Sequence, residues 1–158
     1  MIRMGIGYDS HRFAAGRPLI LGGVTIPHSA GLAGHSDADA VAHALADALL
    51  GAMALGDIGR HFPDTDPTWR DADSIDLLHR VAALVRQHGG VPVQADITVI
   101  AQEPKLAPHH EAMAARLSAA IGVGPGMIGL KAKTNEGMGF TGRGEGIAVL
   151  AVATVEAS

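Results

Sequence analysis

The stretch from Ala38 to Leu55 constrains the fold most. Val41, Leu45, Leu49 and Ala52 recur at helical spacing, with alanine filling most positions between them. Ser36 or Asp37 is placed to cap the N-terminus of this helix, and Gly56 lies just past its end. A second helix is expected over Ala72 to His88, with Ile75, Leu78, Val81 (or Ala82) and Val85 on one face and Gly89-Gly90 as its stop. A third, rich in alanine, spans Pro108 to Ile121. Around these helices the pattern changes to strands. Met4 to Phe13 reads as a strand running into a loop. Leu19 to Pro27 reads as a hairpin turning at Gly22-Gly23. Val91 to Ala101 alternates apolar and polar residues, Met127 to Thr134 is another strand, and Ile147 to Val155 is a buried terminal one. Gly59 to Trp69 is a loop rich in proline and aspartate, and Asn135 to Gly146 a glycine-rich loop. This order suggests an α+β fold, a mixed sheet with a single layer of helices on one face. No repeat or linker divides the chain, so one domain over residues 1–158 is expected.

Composition removes several function classes. A chain of 158 residues is long enough for a real core. It has no cysteine, which excludes disulfide scaffolds, thiolate metal sites and a cysteine nucleophile, and fits a reducing compartment. A net charge of −4 argues against nucleic acid as a partner, and 3% aromatic residues argue against base-stacking platforms. The most apolar stretch, Ile147 to Val155, is too short for a bilayer helix. Met1 to Asp9 lacks the apolar run of a signal peptide. A soluble, cytoplasmic protein is expected, with no membrane partner.

The polar residues are unevenly placed. Most aspartates lie before Asp76, whereas all lysines lie at Lys105, Lys131 and Lys133. A site holding a divalent metal together with anionic phosphate needs both halves; solvated faces are the alternative. In an extended segment Asp9 and His11 project to one side and form a plausible pair of zinc ligands, or a surface polar pair. Beyond them lies His35-Ser36-Asp37-Ala38-Asp39. His43 follows one helical turn after Asp39 and would complete a His₂Asp set with one open metal position. The competing reading makes His43 a hydrogen-bonded structural group, and Asp39 and Asp47 the helix's wet edge. Asp57 to Asp66 forms an acidic loop that could bind hydroxyls or a cation, or be an exposed connection. Ala101 to Pro108 follows a strand and precedes a helix, so its backbone N–H groups and Lys105 could meet a phosphate or a base. Lys131, Lys133, Thr134 and Glu136 could hold a diphosphate and a bridging cation, with the glycine-rich loop approaching a ligand or a neighbouring subunit closely.

Five stretches together carry a resemblance: GYDSHRF, LGGVTIP, GLAGHSDADAVAHALADALLGAMALGDIGRHFPDTDP, ADITVIAQEPKLAPH and KAKTNEGMGFTGRGEGIAV. In this order, and over nearly the whole chain, they resemble the 2-C-methyl-D-erythritol 2,4-cyclodiphosphate synthase family of the non-mevalonate isoprenoid route. The resemblance implies a lyase that cyclises 4-diphosphocytidyl-2-C-methyl-D-erythritol 2-phosphate and releases CMP. It implies that Asp9, His11 and His43 hold Zn²⁺, and that Glu136 holds a second cation, Mg²⁺ or Mn²⁺. His35 and Thr134 match residues that hold the reacting phosphates, the catalytic candidates. Asp9, Ser10, His11, Ser36, Asp57, Ile58, Gly59, Phe62, Pro63, Asp64, Thr65 and Asp66 fall on the metal and methylerythritol side. Ala101, Gln102, Glu103, Pro104, Lys105, Leu106 and Ala107 fall on the cytidine pocket. The family implies a homotrimer with sites between subunits. Phe140 and Arg143 would then lie near the trimer axis, beside a cavity able to hold an isoprenoid diphosphate. Lys133 and Asn135 stand where relatives often have threonine, which bears on the cytidine contact. Some relatives are fused to a cytidylyltransferase domain, for which this chain has no room. A metal-dependent phosphohydrolase and a non-catalytic trimeric binder of nucleotide or isoprenoid phosphates are the alternatives.

Overall fold

The computed structural model describes residues 1–158. Its centre is a strand pair that joins the chain ends. β1 (Ile2–Ala14) runs antiparallel to β7 (Gly146–Ala157), with Gly7 opposite Ala151, Asp9 opposite Val149 and His11 opposite Ile147. β5 (Gly90–Ile100) flanks β7 antiparallel, with a register shift between Pro92 and Gln94, and β6 (Ile128–Lys133) runs parallel to β5. β4 (Gly31–Leu32) pairs with the far end of β1, giving the order β4-β1-β7-β5-β6. The end of the Met4–Phe13 segment, expected to run into a loop, is strand: β1 continues to Ala14. The hairpin of β2 (Leu19–Leu21) and β3 (Val24–Ile26) stands apart as its own small sheet. Gly22 (φ +58°) and Gly23 (φ +73°) both take the left-handed conformation that a two-residue turn of this hand requires.

α1 (Ala40–Ala52), α3 (Ser74–Gln87) and α4 (His110–Ile121) cover one face of the main sheet, as the α+β reading expects. Two single-turn helices, α2 (Ile58–His61) and α5 (Gly139–Gly142), lie inside the expected loops. They are too short to show a period.

α1 sits unusually close to β1. A Cβ at Gly7 would lie 1.9 Å from the Ala44 carbonyl oxygen, and one at Gly5 2.0 Å from that of Ala48. Glycine on the strand and alanine on the helix let the two backbones approach, and this closeness sets the position of the residues beside Ala44. The cap of α1 is Asp39, not Ser36 or Asp37. Its carboxylate is wholly buried. One oxygen accepts from Ala42 N (3.0 Å) and Gly22 N (2.8 Å), the other from Gly23 N (2.7 Å). Asp39 is thus no wet edge. It ties the β2–β3 turn to the start of α1.

Burial pushes the Asp39 carboxyl up to about 6, against the pull of its N–H bonds to Ala42, Gly23 and Gly22. A carboxyl raised in the fold contributes stability below its ordinary value, 3.8, that is lost as pH rises through about 6. Asp39→Asn is expected to remove this step. It also sets an amide donor against one buried N–H, at a cost of about 2 kcal/mol. Urea unfolding of both proteins across that pH range checks it: the penalty should be larger at the acid end.

The other face of the sheet is bare and apolar at its centre. Met4, Ile6 and Tyr8 are 72%, 69% and 53% exposed, beside Leu150 and Val152 on β7. No helix is long and apolar enough to cross a membrane.

Candidate active site

Asp9 and His11 lie two apart on β1, on the face that α1 covers. His43 precedes Ala44, whose carbonyl touches Gly7, so the close helix–strand contact delivers it to the same place. His11 Nε2 lies 2.8 Å from Asp9 Oδ2, and His43 Nδ1 lies 3.1 Å from the same oxygen. The three potential ligand atoms fall within 4.8 Å of one another. His11 Nδ1 faces the Ala33 carbonyl at 2.8 Å and donates to it, which leaves Nε2 as the atom that turns inward.

This cluster demands a positive charge. Burial would raise the Asp9 carboxyl, but hydrogen bonds from His11 and His43 outweigh it and hold the group below its usual range. Burial would likewise lower His11, and the hydrogen bond and charge of Asp9 outweigh that and raise it. Two imidazole nitrogens and a carboxylate oxygen are a donor set suited to zinc, with a fourth position left open. The residues fit a metal.

In the metal-free protein the Asp9–His11 pair stabilises the fold within a window. The Asp9 share is present above its ordinary value, 3.8, and lost as pH falls through its lowered one. The His11 share is present below 6.5 and lost as pH rises through its raised value. A metal must displace the His11 proton. Apparent zinc affinity is therefore expected to weaken about tenfold per pH unit below that raised value. Chelator-competition titrations from about pH 8 down to about pH 5 read it.

The cluster opens into a cavity of about 390 Å³. His11, His35, Ser36, His43, Ile58, Gly59, Phe62 and Asp64 line it, together with Gly34, Trp69 and Leu77. Trp69 was not anticipated, although it is the chain's only tryptophan and ends the acidic loop. Its ring meets Phe62 edge-on at 4.9 Å and carries the Arg80 guanidinium at 5.7 Å. The loop is built rather than irregular. Asp57 caps α2 through Arg60 N (3.0 Å), and Asp47 on α1 accepts from Ile58 N (2.7 Å). Asp47 is half-buried and engaged, so it too is no wet edge. Asp66 caps a short turn through Thr68 N, and His35 Nε2 faces the Asp66 carbonyl at 3.2 Å.

The match to known proteins agrees with this geometry. The model of the YgbB family covers residues 2–156. The chain belongs to the YgbB family. A 2-C-methyl-D-erythritol 2,4-cyclodiphosphate synthase of Dechloromonas aromatica (strain RCB) is 58% identical over 98% of this chain and 96% of its own length. A solved 2C-methyl-D-erythritol-2,4-cyclodiphosphate synthase in its CDP-bound form superposes with a TM-score of 0.89 at 43% identity, over 98% of this chain and all of that one. The bifunctional IspDF of Campylobacter jejuni superposes with a TM-score of 0.96 at 42% identity over all of this chain, which spans 43% of that longer one.

The remaining candidates of this YgbB-family chain gather elsewhere. Ala101, Gln102, Pro104, Lys105, Leu106 and Ala107 line a second cavity of about 360 Å³ with Lys133 and Thr134. Glu103 turns to a neighbouring cavity shared with Phe13, His28 and Arg143. Asn135 closes its own turn, donating to the Met138 carbonyl (2.8 Å). Glu136 is exposed, with φ +52°, and stands apart from the Asp9 cluster. Ser10 points to the opposite sheet face from Asp9 and lines a further cavity with Arg12, Phe140 and Glu145. Arg143 pairs with Glu145 at 2.7 Å. Across the sheet, Asp9 pairs with Val149, Val149 with Val99, and Val99 with Ala132. Three strand spacings, about 14 Å, therefore separate the metal cluster from the lysine end. Within one chain the two groups line different cavities.

Proposed function

We propose that this chain converts 4-diphosphocytidyl-2-C-methyl-D-erythritol 2-phosphate into 2-C-methyl-D-erythritol 2,4-cyclodiphosphate and CMP. The convergence of Asp9 with His11 and His43, the two histidines that line the Phe62–Asp64 cavity, carries the proposal. An oxygen of the 2-phosphate bonds to the β-phosphorus. The bond from that phosphorus to the oxygen bridging it to the α-phosphorus breaks, and CMP leaves with that oxygen. No water is consumed, and no protein atom bonds to phosphorus. The protein's work is positioning and charge stabilisation.

Asp9, His11 and His43 would hold Zn²⁺, and Glu136 a second cation, Mg²⁺ or Mn²⁺. When bound, such ions supply Lewis-acid neutralisation of phosphate charge. His35 engages the Asp66 carbonyl through Nε2, so Nδ1 is left for a phosphate oxygen and donates to it when the ring is protonated. Thr134 Oγ1 accepts from Glu136 N (3.3 Å), and its proton remains free for a phosphate. Lys133 brings a further positive charge to the wall of the second cavity. The backbone of residues 101–107 would read the cytosine edge. The cytoplasm is the proposed location, because a triply phosphorylated substrate does not cross a membrane unaided.

The split site calls for more than one copy. Each active site would join the metal cluster of one subunit to the 101–107 and 133–136 group of the next. The apolar strip of Met4, Ile6, Tyr8, Leu150 and Val152 suits burial against neighbouring copies in a closed trimer. Phe140 and Arg143 would then border an axial cavity fit for an isoprenoid diphosphate. Mixing tests the shared site. His43→Ala and Thr134→Ala are each expected to be nearly inactive alone. After dissociation and random reassembly, about a quarter of the sites join two intact halves, and about that share of wild-type turnover should return. Mixed trimers as inactive as their parents would contradict a site between subunits.

A further inference from the structure

We infer that Ser74 and Asp37 form a relay that locks the tautomer of His43 and so makes its Nδ1 the metal-facing nitrogen. The inference rests on the metal reading above and adds two positioning residues to it.

The relay follows from counting donors. Ser74 opens α3 and is 1% exposed. Its hydroxyl is bonded to Asp37 Oδ1, and its backbone N–H donates to Asp37 Oδ2 at 3.0 Å. Asp37 Oδ1 also accepts from Asp39 N (3.1 Å), and Asp37 N donates to the Ala72 carbonyl (3.2 Å). The carboxylate is thus held on several sides, and as an anion it can only accept. The single hydroxyl proton of Ser74 is committed to it. Ser74 Oγ must therefore accept from His43 Nε2, which lies 2.7 Å away. With Nε2 holding its proton for Ser74, Nδ1, which hydrogen-bonds Asp9 Oδ2 at 3.1 Å in the absence of metal, is the nitrogen whose lone pair a metal would take. Ser36 belongs to the same network. Its hydroxyl lies 3.2 Å from His43 Nε2 and accepts from Ala38 N, so it faces inward to the histidine as well as lining the cavity.

An outer partner of this kind is commonly worth 10–100-fold in metal affinity. Ser74→Ala is expected to weaken zinc binding about that much in chelator competition, whereas the lost buried hydrogen bond lowers the unfolding midpoint of the metal-free protein by only about 2–8 °C and leaves it folded. Ser74→Thr, which keeps the hydroxyl, should restore affinity to within about threefold. Nitrogen NMR of the zinc-loaded wild type needs no variant. It should show His43 metallated at Nδ1 and protonated at Nε2. Zinc on His43 Nε2, or a Ser74→Ala protein binding zinc as tightly as the wild type, would overturn the relay while leaving the metal reading intact. A wild type that takes up no zinc lost on Asp9→Ala would overturn the metal reading, and the relay with it.

Discussion

Replacing His43 by alanine is expected to lower turnover at least about a thousandfold and strip zinc from the protein, while the fold and the assembly persist. The reason is charge. In the proposed reaction the substrate would bring its phosphates into the cavity lined by His11 and His43, close to the Asp9 carboxylate behind them, and a bound cation would offset that repulsion. Two imidazoles and one carboxylate make the site. Removing one imidazole leaves a two-ligand site that competes poorly with water. Losing about 4 kcal/mol of stabilisation specific to the transition state corresponds to about 10³ in rate. The side chain itself is partly buried between Asp9 and Ser74, and its loss costs packing that a structure of this size tolerates. Metal analysis, steady-state kinetics and light scattering read the three effects separately. Full turnover in a zinc-free His43→Ala protein would sink the metal assignment.

Gly7→Ala tests how the fold makes that site. Its backbone does not need glycine's left-handed region, so the effect is one of space. The new methyl would lie 1.9 Å from the Ala44 carbonyl oxygen and 2.8 Å from Ala48 N. Overpacking against side chains costs about 1–3 kcal/mol. Here the obstacle is helix backbone, which cannot rotate away, and about 4 kcal/mol is expected. At about 2–4 °C per kcal/mol for a domain of this length, Tm should fall by about 8–16 °C. Because His43 adjoins Ala44, the displaced helix should also carry it from Asp9 and weaken metal binding. Gly124→Ala is the control, since its methyl meets open space. A Gly7→Ala protein as stable as that control, with zinc affinity intact, would show that α1 has room to move.

Much of this was legible in the residues. Period-two spacing puts Asp9 and His11 on one face of a strand, and period-3.6 spacing gives α1 its core stripe; both are local signals. What escaped is what depends on contacts between distant segments. Alternating Gly5 and Gly7 weaken a strand when read alone, and become informative only when Ala44 and Ala48 are set against them. Asp39 reads as solvated because it lies one turn before His43, yet its partners are Gly22 and Gly23 in an earlier hairpin. Ser74 is 31 residues from His43 and carries no motif of its own. The bare sheet face was equally hidden: alternation shows that Met4, Ile6 and Tyr8 share one face of β1, but which face the helices cover depends on segments far along the chain.

The most direct measurement is phosphorus NMR of the protein with 4-diphosphocytidyl-2-C-methyl-D-erythritol 2-phosphate, with and without chelator. The expected spectrum shows the cyclic diphosphate together with CMP, both lost on chelation and restored by Zn²⁺ with Mg²⁺. Linear phosphates in place of the cyclic product, or cyclisation undiminished by complete metal removal, would contradict a metal-assisted cyclisation at Asp9, His11 and His43.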